Sequence, residues 1–471
     1  MRRTPMDFFR AISAIPRISG NEAAAADYVE ALAREKGYAV RRDAMHNLVV
    51  VRPASAGMEQ APTVMLQGHL DMVAAKKDGV EHDFDTQGIE LVVNGDILTA
   101  AGTTLGADDG VAVSYMLAVL DDESIEAPRL ECVFTVQEET GLVGVQALDM
   151  EGLEARRMIN LDAGPEGSLL VTCAGGSRVN LRRPAAMVEN TAPRWRVQVS
   201  GLRGGSGAAG MERQQANGLV LLALACQELT AAGGRLAALT GGDREGFLPQ
   251  SAQAVVAFDG DIAAVLAPLA ARISKTWAVA DPDVTLTWES AQDGSVFDQA
   301  TERAVLEALR LLPQGILGMS TVFPELVETS STLGLCRAGE EGVEIGLSMR
   351  SASDLKKEML QQQAALLAAC YGYEVEVSAN YPGWDYEPES PLREAAIEVF
   401  TQQYGHAPKV GGVHAGFECG VFKAAMPWLD IVAMGPTYQL MHTADEWLDL
   451  PSFSRSFTFL TALLRKLGQM A

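Results

Sequence analysis

Short apolar runs alternate with amphipathic stretches through the first third of the chain. Residues 22–37, EAAAADYVEALAREKG, repeat apolar positions at helical spacing, and Asn21 stands where an N-cap is wanted, so a helix is predicted there. The runs LVVVR (48–52), TVMLQ (63–67), RLECVFTV (129–136) and RMINL (157–161) have strand length and composition, with a helix GVAVSYMLAVL (110–120) among them. Strands alternating with helices predict an α/β layer.

From about residue 180 the pattern changes. Strand-like RWRVQVSG (194–201) is followed by a Gly-rich loop, a long helix near 211–232, and strands AQAVVAFDG (252–260) and DVTLTWES (283–290). A helix at 301–313, a strand at 342–352, a helix at 353–372 and the strand YEVEVSANYPGW (373–384) complete a second, α+β layer. After Tyr381-Pro382-Gly383-Trp384 the early pattern returns, with a helix at 392–405, a strand at 428–435 and a terminal helix at 453–469. The expected architecture is one α/β domain, residues 1–180 and 384–471, interrupted by an inserted α+β domain at 181–383. No internal repeat and no low-complexity tract interrupts it.

Composition narrows the function. A chain of 471 residues exceeds one ordinary core, and 21% charged residues with 6% aromatics describe a globular protein. A formal net charge of −24, with no basic stripe to offset it, argues against nucleic acid as a partner. Cys132, Cys173, Cys226, Cys336, Cys370 and Cys419 lie far apart without a C-x-x-C pair, and read as reduced, buried thiols. The opening MRRTPMDFFRAISAIPRISGNE lacks an apolar signal core and no segment has the length of a membrane span, so the cytoplasm is the expected location, with no membrane partner.

Five apolar runs, or the turns after them, deliver polar candidates: His69 and Asp71, Asp108 and Asp109, Glu138 and Glu139, Asp162, and His442. Ligands of open α/β sheets bind at the carboxyl ends of strands, so groups distant in sequence can converge there. Each also has a plain role: His69 and Asp71 as strand-closing residues, Asp108 or Asp109 as an N-cap, Glu138 and Glu139 as solvated acids before a helix, Asp162 in a turn, His442 on the surface. Together they match zinc, which accepts imidazole nitrogen and carboxylate oxygen, and one carboxylate can bridge two ions. Two ions need about one bridge and two terminal ligands each, which leaves one Glu as a base; such a pair, about 3.5–4 Å apart, activates water and polarises a scissile carbonyl. Of the remaining histidines, His46, His82, His406 and His414, the last stands out for its Gly-rich setting GVHAGFECG. The stretch Gly205–Gly210 fits G-x-G-x-x-G, but no strand ending in an acidic residue follows at the spacing a dinucleotide site requires.

GHLDMV, LGADDG, EETG, INLD, the RS of MRSA, YPGW, HAGFECG and GPT followed by His442 occur in order across nearly the whole chain. In this combination the chain resembles the aminoacyl-histidine dipeptidases, also called Xaa-His or cytosol non-specific dipeptidases, a group of co-catalytic zinc exopeptidases. The resemblance implies a zinc-exopeptidase domain with helices on both faces of a mixed sheet, an inserted lid that also forms a homodimer contact, and two Zn²⁺ per subunit, with Mn²⁺ or Co²⁺ as substitutes. Carried over by position, Asp108 would bridge the metals, His69 and Asp162 would complete one site, and Glu139 and His442 the other. Glu138 would be the general base, Asp71 would hold His69 in its ligating tautomer, Arg350 would meet the substrate carboxylate, and His414 would lie near the substrate. The segment VETSSTLG (327–334) tends to face substrate in this family.

Two departures stand out. The family's Gly-Gly-His-Ser-Gly is Gly204-Gly205-Ser206-Gly207 here, without the histidine that stabilises the oxyanion across the dimer, and one such donor is worth about 10²- to 10³-fold in rate. The acidic run after the INLD aspartate is replaced by Ala163-Gly164-Pro165. Three readings follow: a dipeptidase, a deacylase of N-acyl amino acids using the same chemistry, and a non-catalytic metal- or peptide-binding homologue. The presence of Glu138 favours catalysis.

Overall fold

The computed structural model describes residues 3–292 and 294–470, with only the backbone of Ala208 and Ala209. The chain divides into two compact units, Met1–Cys173 with Gly383–Ala471, and Ala174–Pro382.

The first unit is built on an eight-stranded mixed sheet in the order Ala39–Arg42, Leu48–Arg52, Leu130–Thr135, Val64–His69, Arg157–Asn160, Asp430–Ala433, Ser168–Cys173, Lys409–Val413. Val64–His69, Leu130–Thr135 and Arg157–Asn160 are buried along their whole length, as strands covered on both faces must be. Val64–His69 runs parallel to Leu130–Thr135 and to Arg157–Asn160, which in turn runs parallel to Asp430–Ala433. Their carboxyl ends therefore share one edge. The helix Ala107–Asp121 is apolar almost all round and accordingly buried, with Tyr115 against Phe453 of the terminal helix Leu450–Gly468.

The second unit is an antiparallel sheet in the order Thr285–Ala291, Arg194–Ser200, Ala252–Ala257, Arg235–Gly241, Val327–Gly339, Gly342–Ser351, Gly175–Arg183, Glu374–Tyr381, with Gly315–Met319 beside Val327–Gly339. Its core takes Leu222 from the helix Gly218–Ala231, Leu266 from Ile262–Thr276, Leu309 from Gln299–Leu311 and Ala364 from Asp354–Tyr371. Burying each such leucine contributes roughly 1.5–3 kcal/mol. An α/β protein with an inserted antiparallel domain is what the alternation of patterns predicts.

Three local expectations need correction. Asn21 does not cap the first long helix, which runs Ala23–Glu35 with Glu22 at the cap and no side-chain cap bond; the Asn21 amide instead donates to the Asp85 carbonyl at 3.0 Å. The long helix near 211–232 is two helices, Gly207–Glu212 and Gly218–Ala231, because Asn217 caps the second by accepting from Leu219 N. Cys370 is exposed, on an outer face of the helix Asp354–Tyr371, whereas the other five cysteines are buried as expected, and all six are free. Among the described residues no helix is long and apolar enough to cross a membrane.

Candidate metal centre

Strand direction decides what meets at the shared edge. His69 is the last residue of Val64–His69, Glu138 and Glu139 follow Leu130–Thr135 by one turn, and Asp162 follows Arg157–Asn160. Asp108 sits in the first turn of Ala107–Asp121, where Asp108 (φ −80°, ψ 107°) and Asp109 (φ −114°, ψ 41°) leave helical values. His442 follows the short strand Tyr438–Gln439 with a left-handed backbone, φ 63°, which non-glycine residues seldom adopt. The glycine of GHLD is required: a Cβ on Gly68 would lie 2.3 Å from Ala112 Cβ and 2.4 Å from Asp109 Oδ2.

The two oxygens of Asp108 face two different histidines, Oδ1 at 3.0 Å from His69 Nε2 and Oδ2 at 3.1 Å from His442 Nε2. His442 Nε2 is also 3.0 Å from Glu139 Oε2, and His69 Nε2 is 3.8 Å from Asp162 Oδ2 and 4.0 Å from Glu138 Oε2. His69 Nδ1 lies 3.1 Å from the Asp71 carbonyl, an acceptor that requires a proton on Nδ1, so Nε2 is the nitrogen presented to Asp108 and available to a metal. The Asp71 carboxylate is farther, 3.4 Å, and accepts from Ser19 Oγ at 2.7 Å and from the backbone N–H groups of Glu138 and Glu139 at 3.1 and 3.3 Å.

Electrostatically the cluster is short of positive charge. Burial, and then neighbouring carboxylates, push Asp162 and Glu138 well above the ordinary carboxylate range. Burial also works to raise Asp108, but its bonds to His442 and His69 outweigh it and hold the group low. Hydrogen bonds to Asp108 and Glu139 raise His442 to about 10. Glu139 Oε1 is buried without a hydrogen-bond partner. Among the described residues, three sets have ligand atoms within 4.8 Å of one another: His69, Asp109 and Asp162; His69, Glu138 and Glu139; Asp108, Glu139 and His442. Imidazole and carboxylate in these sets fit a divalent metal such as zinc.

Asp109, a candidate to which the resemblance gave no ligand role, is a member of one set, but both its oxygens are engaged by backbone, Oδ2 by His69 N at 3.2 Å and Oδ1 by Ala112 N at 3.1 Å. The capping role that the sequence allowed either aspartate thus falls to Asp109. Behind the strands Glu418 accepts from Thr135 Oγ1 at 2.7 Å and from Gln67 Nε2, and Gln67 Oε1 accepts from Asn160 Nδ2 at 2.7 Å. Such long-range partners carry no local sequence signal. His414 is buried in the same unit, between the strand Lys409–Val413 and the helix Glu418–Ala425. Arg350 belongs to the other unit, on Gly342–Ser351 opposite Ser330 and Gly176.

Comparison with known proteins adds an independent observation. The model of Peptidase family M20/M25/M40 matches residues 65–466. The chain belongs to this peptidase family. Over 474 aligned residues it is 33% identical to the cytosol non-specific dipeptidase of Escherichia coli K12, covering 98% of this chain and 97% of that one. The crystal structure of an aminoacylhistidine dipeptidase from Vibrio alginolyticus superposes with a TM-score of 0.90 at 30% identity, covering 98% of this chain and 96% of that one. A Staphylococcus aureus tripeptidase, 14% identical with a TM-score of 0.62 over 100% and 99% of the two chains, shares the fold. The ordered motifs therefore identified the right group of M20 peptidases, and the expectation of a metal-dependent peptidase stands.

Proposed function

We propose that the protein is a cytoplasmic, homodimeric dipeptidase working with two zinc ions, and that Asp108 is the shared ligand. The observation that carries this reading is the division of Asp108, one oxygen toward His69 and the other toward His442. His69 and Asp162 would hold one ion, Glu139 and His442 the other. Mn²⁺ or Co²⁺ suits the same donors. When bound, the pair supplies Lewis acidity toward water and the scissile carbonyl. Dipeptides as substrates, and the cytoplasmic location, are supported by the Escherichia coli relative, which is a cytosol non-specific dipeptidase. The homodimer through the inserted unit rests on the family resemblance.

Glu138 takes a proton from the attacking water and returns it to the leaving amine. Its burial beside other carboxylates raises its affinity for a proton, which suits a group that must carry one through the reaction. Asp71 fixes Glu138 and Glu139 through their backbone N–H groups and gives His69 Nδ1 its acceptor, so one residue orients both the base and two ligands. Arg350, from the inserted lid, pairs with the substrate's terminal carboxylate, for which a guanidinium fork is shaped, and His414 lies beside the substrate.

A panel of dipeptides including carnosine and Leu-His, tried against N-acetyl amino acids with metal-stripped and zinc-loaded protein, tests the proposal. Zinc-dependent dipeptide cleavage, lost in Glu138→Ala, is expected; turnover confined to the N-acyl compounds would make the protein a deacylase. A second reading, a binding protein without turnover, draws on the missing lid histidine at Gly204-Gly205-Ser206-Gly207. It predicts two bound ions and no hydrolysis of any panel member, with activity appearing when a histidine is inserted between Gly205 and Ser206.

A further inference from the structure

We infer that Glu446 and Arg17 are positioning residues that aim Asp108 for metal binding, an inference that rests on the two-metal reading above. The helix Ala107–Asp121 begins without a side-chain cap on Gly106, so the amides of its first turn need acceptors from elsewhere. One carboxylate supplies acceptors for four consecutive amides at this turn, residues 105–108. Glu446 Oε2 accepts from Leu105 N at 2.8 Å and Gly106 N at 2.9 Å, and Oε1 from Ala107 N at 2.8 Å and Asp108 N at 3.3 Å. A carboxylate offers about four lone-pair sites and no donor, so it fits this nest of four N–H groups. A glutamine would turn an NH₂ group toward two of them.

Arg17, almost wholly buried, holds the other side of the same turn. Its Nη2 donates to the Gly106 carbonyl at 2.6 Å, and its Nη1 to the carbonyls of Leu70 at 2.8 Å and Asp71 at 3.1 Å. Space for the guanidinium is kept by two glycines, since a Cβ on Gly106 or Gly110 would lie 2.7 Å from Nη2. The pair thus joins the turn bearing Asp108 to the turn after His69. With the amides of residues 105–108 met by Glu446 and Ala112 N by Asp109, the Asp108 side chain points at His69 and His442.

The test is zinc affinity, measured on the full-length, metal-stripped protein by competition with a chromophoric chelator, with the thermal midpoint of the metal-free protein followed in parallel. Glu446→Gln is expected to bind zinc about 10- to 100-fold more weakly, the usual effect of removing a group that orients a ligand. Glu131→Gln is the control. Glu131 is an equally buried carboxylate that accepts from Glu154 N and Ala155 N, but at the amino end of its strand, away from the cluster. It is expected to lower the thermal midpoint while leaving zinc affinity within twofold of the parent. Equal affinities in Glu446→Gln and the parent, or equal losses in both variants, would overturn the assignment. If Glu446→Gln does not fold, Glu446→Asp decides: a carboxylate one methylene shorter reaches fewer of the amides and should weaken zinc several-fold, and unchanged affinity refutes the role. Absence of two zinc sites in the parent protein would instead bring down the two-metal reading itself, and this inference with it.

Discussion

At the scale of the residue, Glu138 gives the sharpest expectation. Replacing it by Gln keeps the side chain's size and leaves Asp71 its bonds to the 138 and 139 backbone, because those come from N–H groups. Turnover should fall roughly 10²- to 10⁴-fold, the usual worth of a general base, with KM and bound zinc little changed. Loss of zinc in step with activity would show instead that Glu138 is a ligand, alongside His69 and Glu139 with which its oxygen clusters. Which polar residues gather was legible in the sequence because each ends an apolar run, and parallel strands bring such ends to one edge. How the two aspartates of LGADDG divide their work was not legible. It depends on contacts with His69, His442 and Ala112 that only the fold creates.

At the scale of the element, the helix Ala107–Asp121 is tied at both ends by remote partners. Its last residue, Asp121, accepts from Arg3 Nη2 at 2.7 Å and pairs with Lys36 Nζ at 2.9 Å, just beyond the helix Ala23–Glu35. The Arg3 bond first, and Lys36 after it, hold the Asp121 carboxyl down to about 2. A carboxylate lowered by folding stabilises the native state above its unfolded value, about 3.9, and that contribution fades as pH falls through the folded one. In chelator, the parent should therefore exceed Asp121→Asn in denaturation midpoint at pH 6, with the gap closing between about pH 4 and pH 2. A gap independent of pH would mean that packing, not charge, accounts for the loss. High salt should narrow the gap at pH 6, since Arg3 is partly exposed. Existence and type of most long elements were readable from periodicity, whereas their ends were not. Asn21 looked like a cap because of its position alone, and the Asp85 carbonyl that takes its amide is 64 residues away. The helix Ile262–Thr276 went unread for a different reason: Pro268 stands inside it and breaks the pattern that would announce a helix.

At the scale of the whole molecule, the chain leaves the first unit and rejoins it at one point. Cys173 N donates to the Trp384 carbonyl at 3.1 Å and Trp384 N to the Cys173 carbonyl at 3.0 Å, a doubly bonded antiparallel pair. Such a pair is what a two-residue type I′ turn closes, and Asn-Gly is the sequence that favours it. Replacing residues 174–383 by Asn-Gly should therefore leave a chain that folds in one cooperative transition, because the buried strands that carry His69, Glu138 and Asp162, and the turns that carry Asp108 and His442, all lie within the first unit. The shortened protein is expected to bind two zinc ions with an affinity near that of the full chain. On the proposed roles it should nevertheless hydrolyse no dipeptide at a useful rate, having lost Arg350, while a simple activated ester lacking a terminal carboxylate would still be cleaved slowly by the metal site. Dipeptide turnover at the parent's KM would remove Arg350 from substrate recognition. Failure to bind zinc despite a cooperative fold would place part of the metal site's order in the inserted unit, and the division of labour between the two would have to be redrawn.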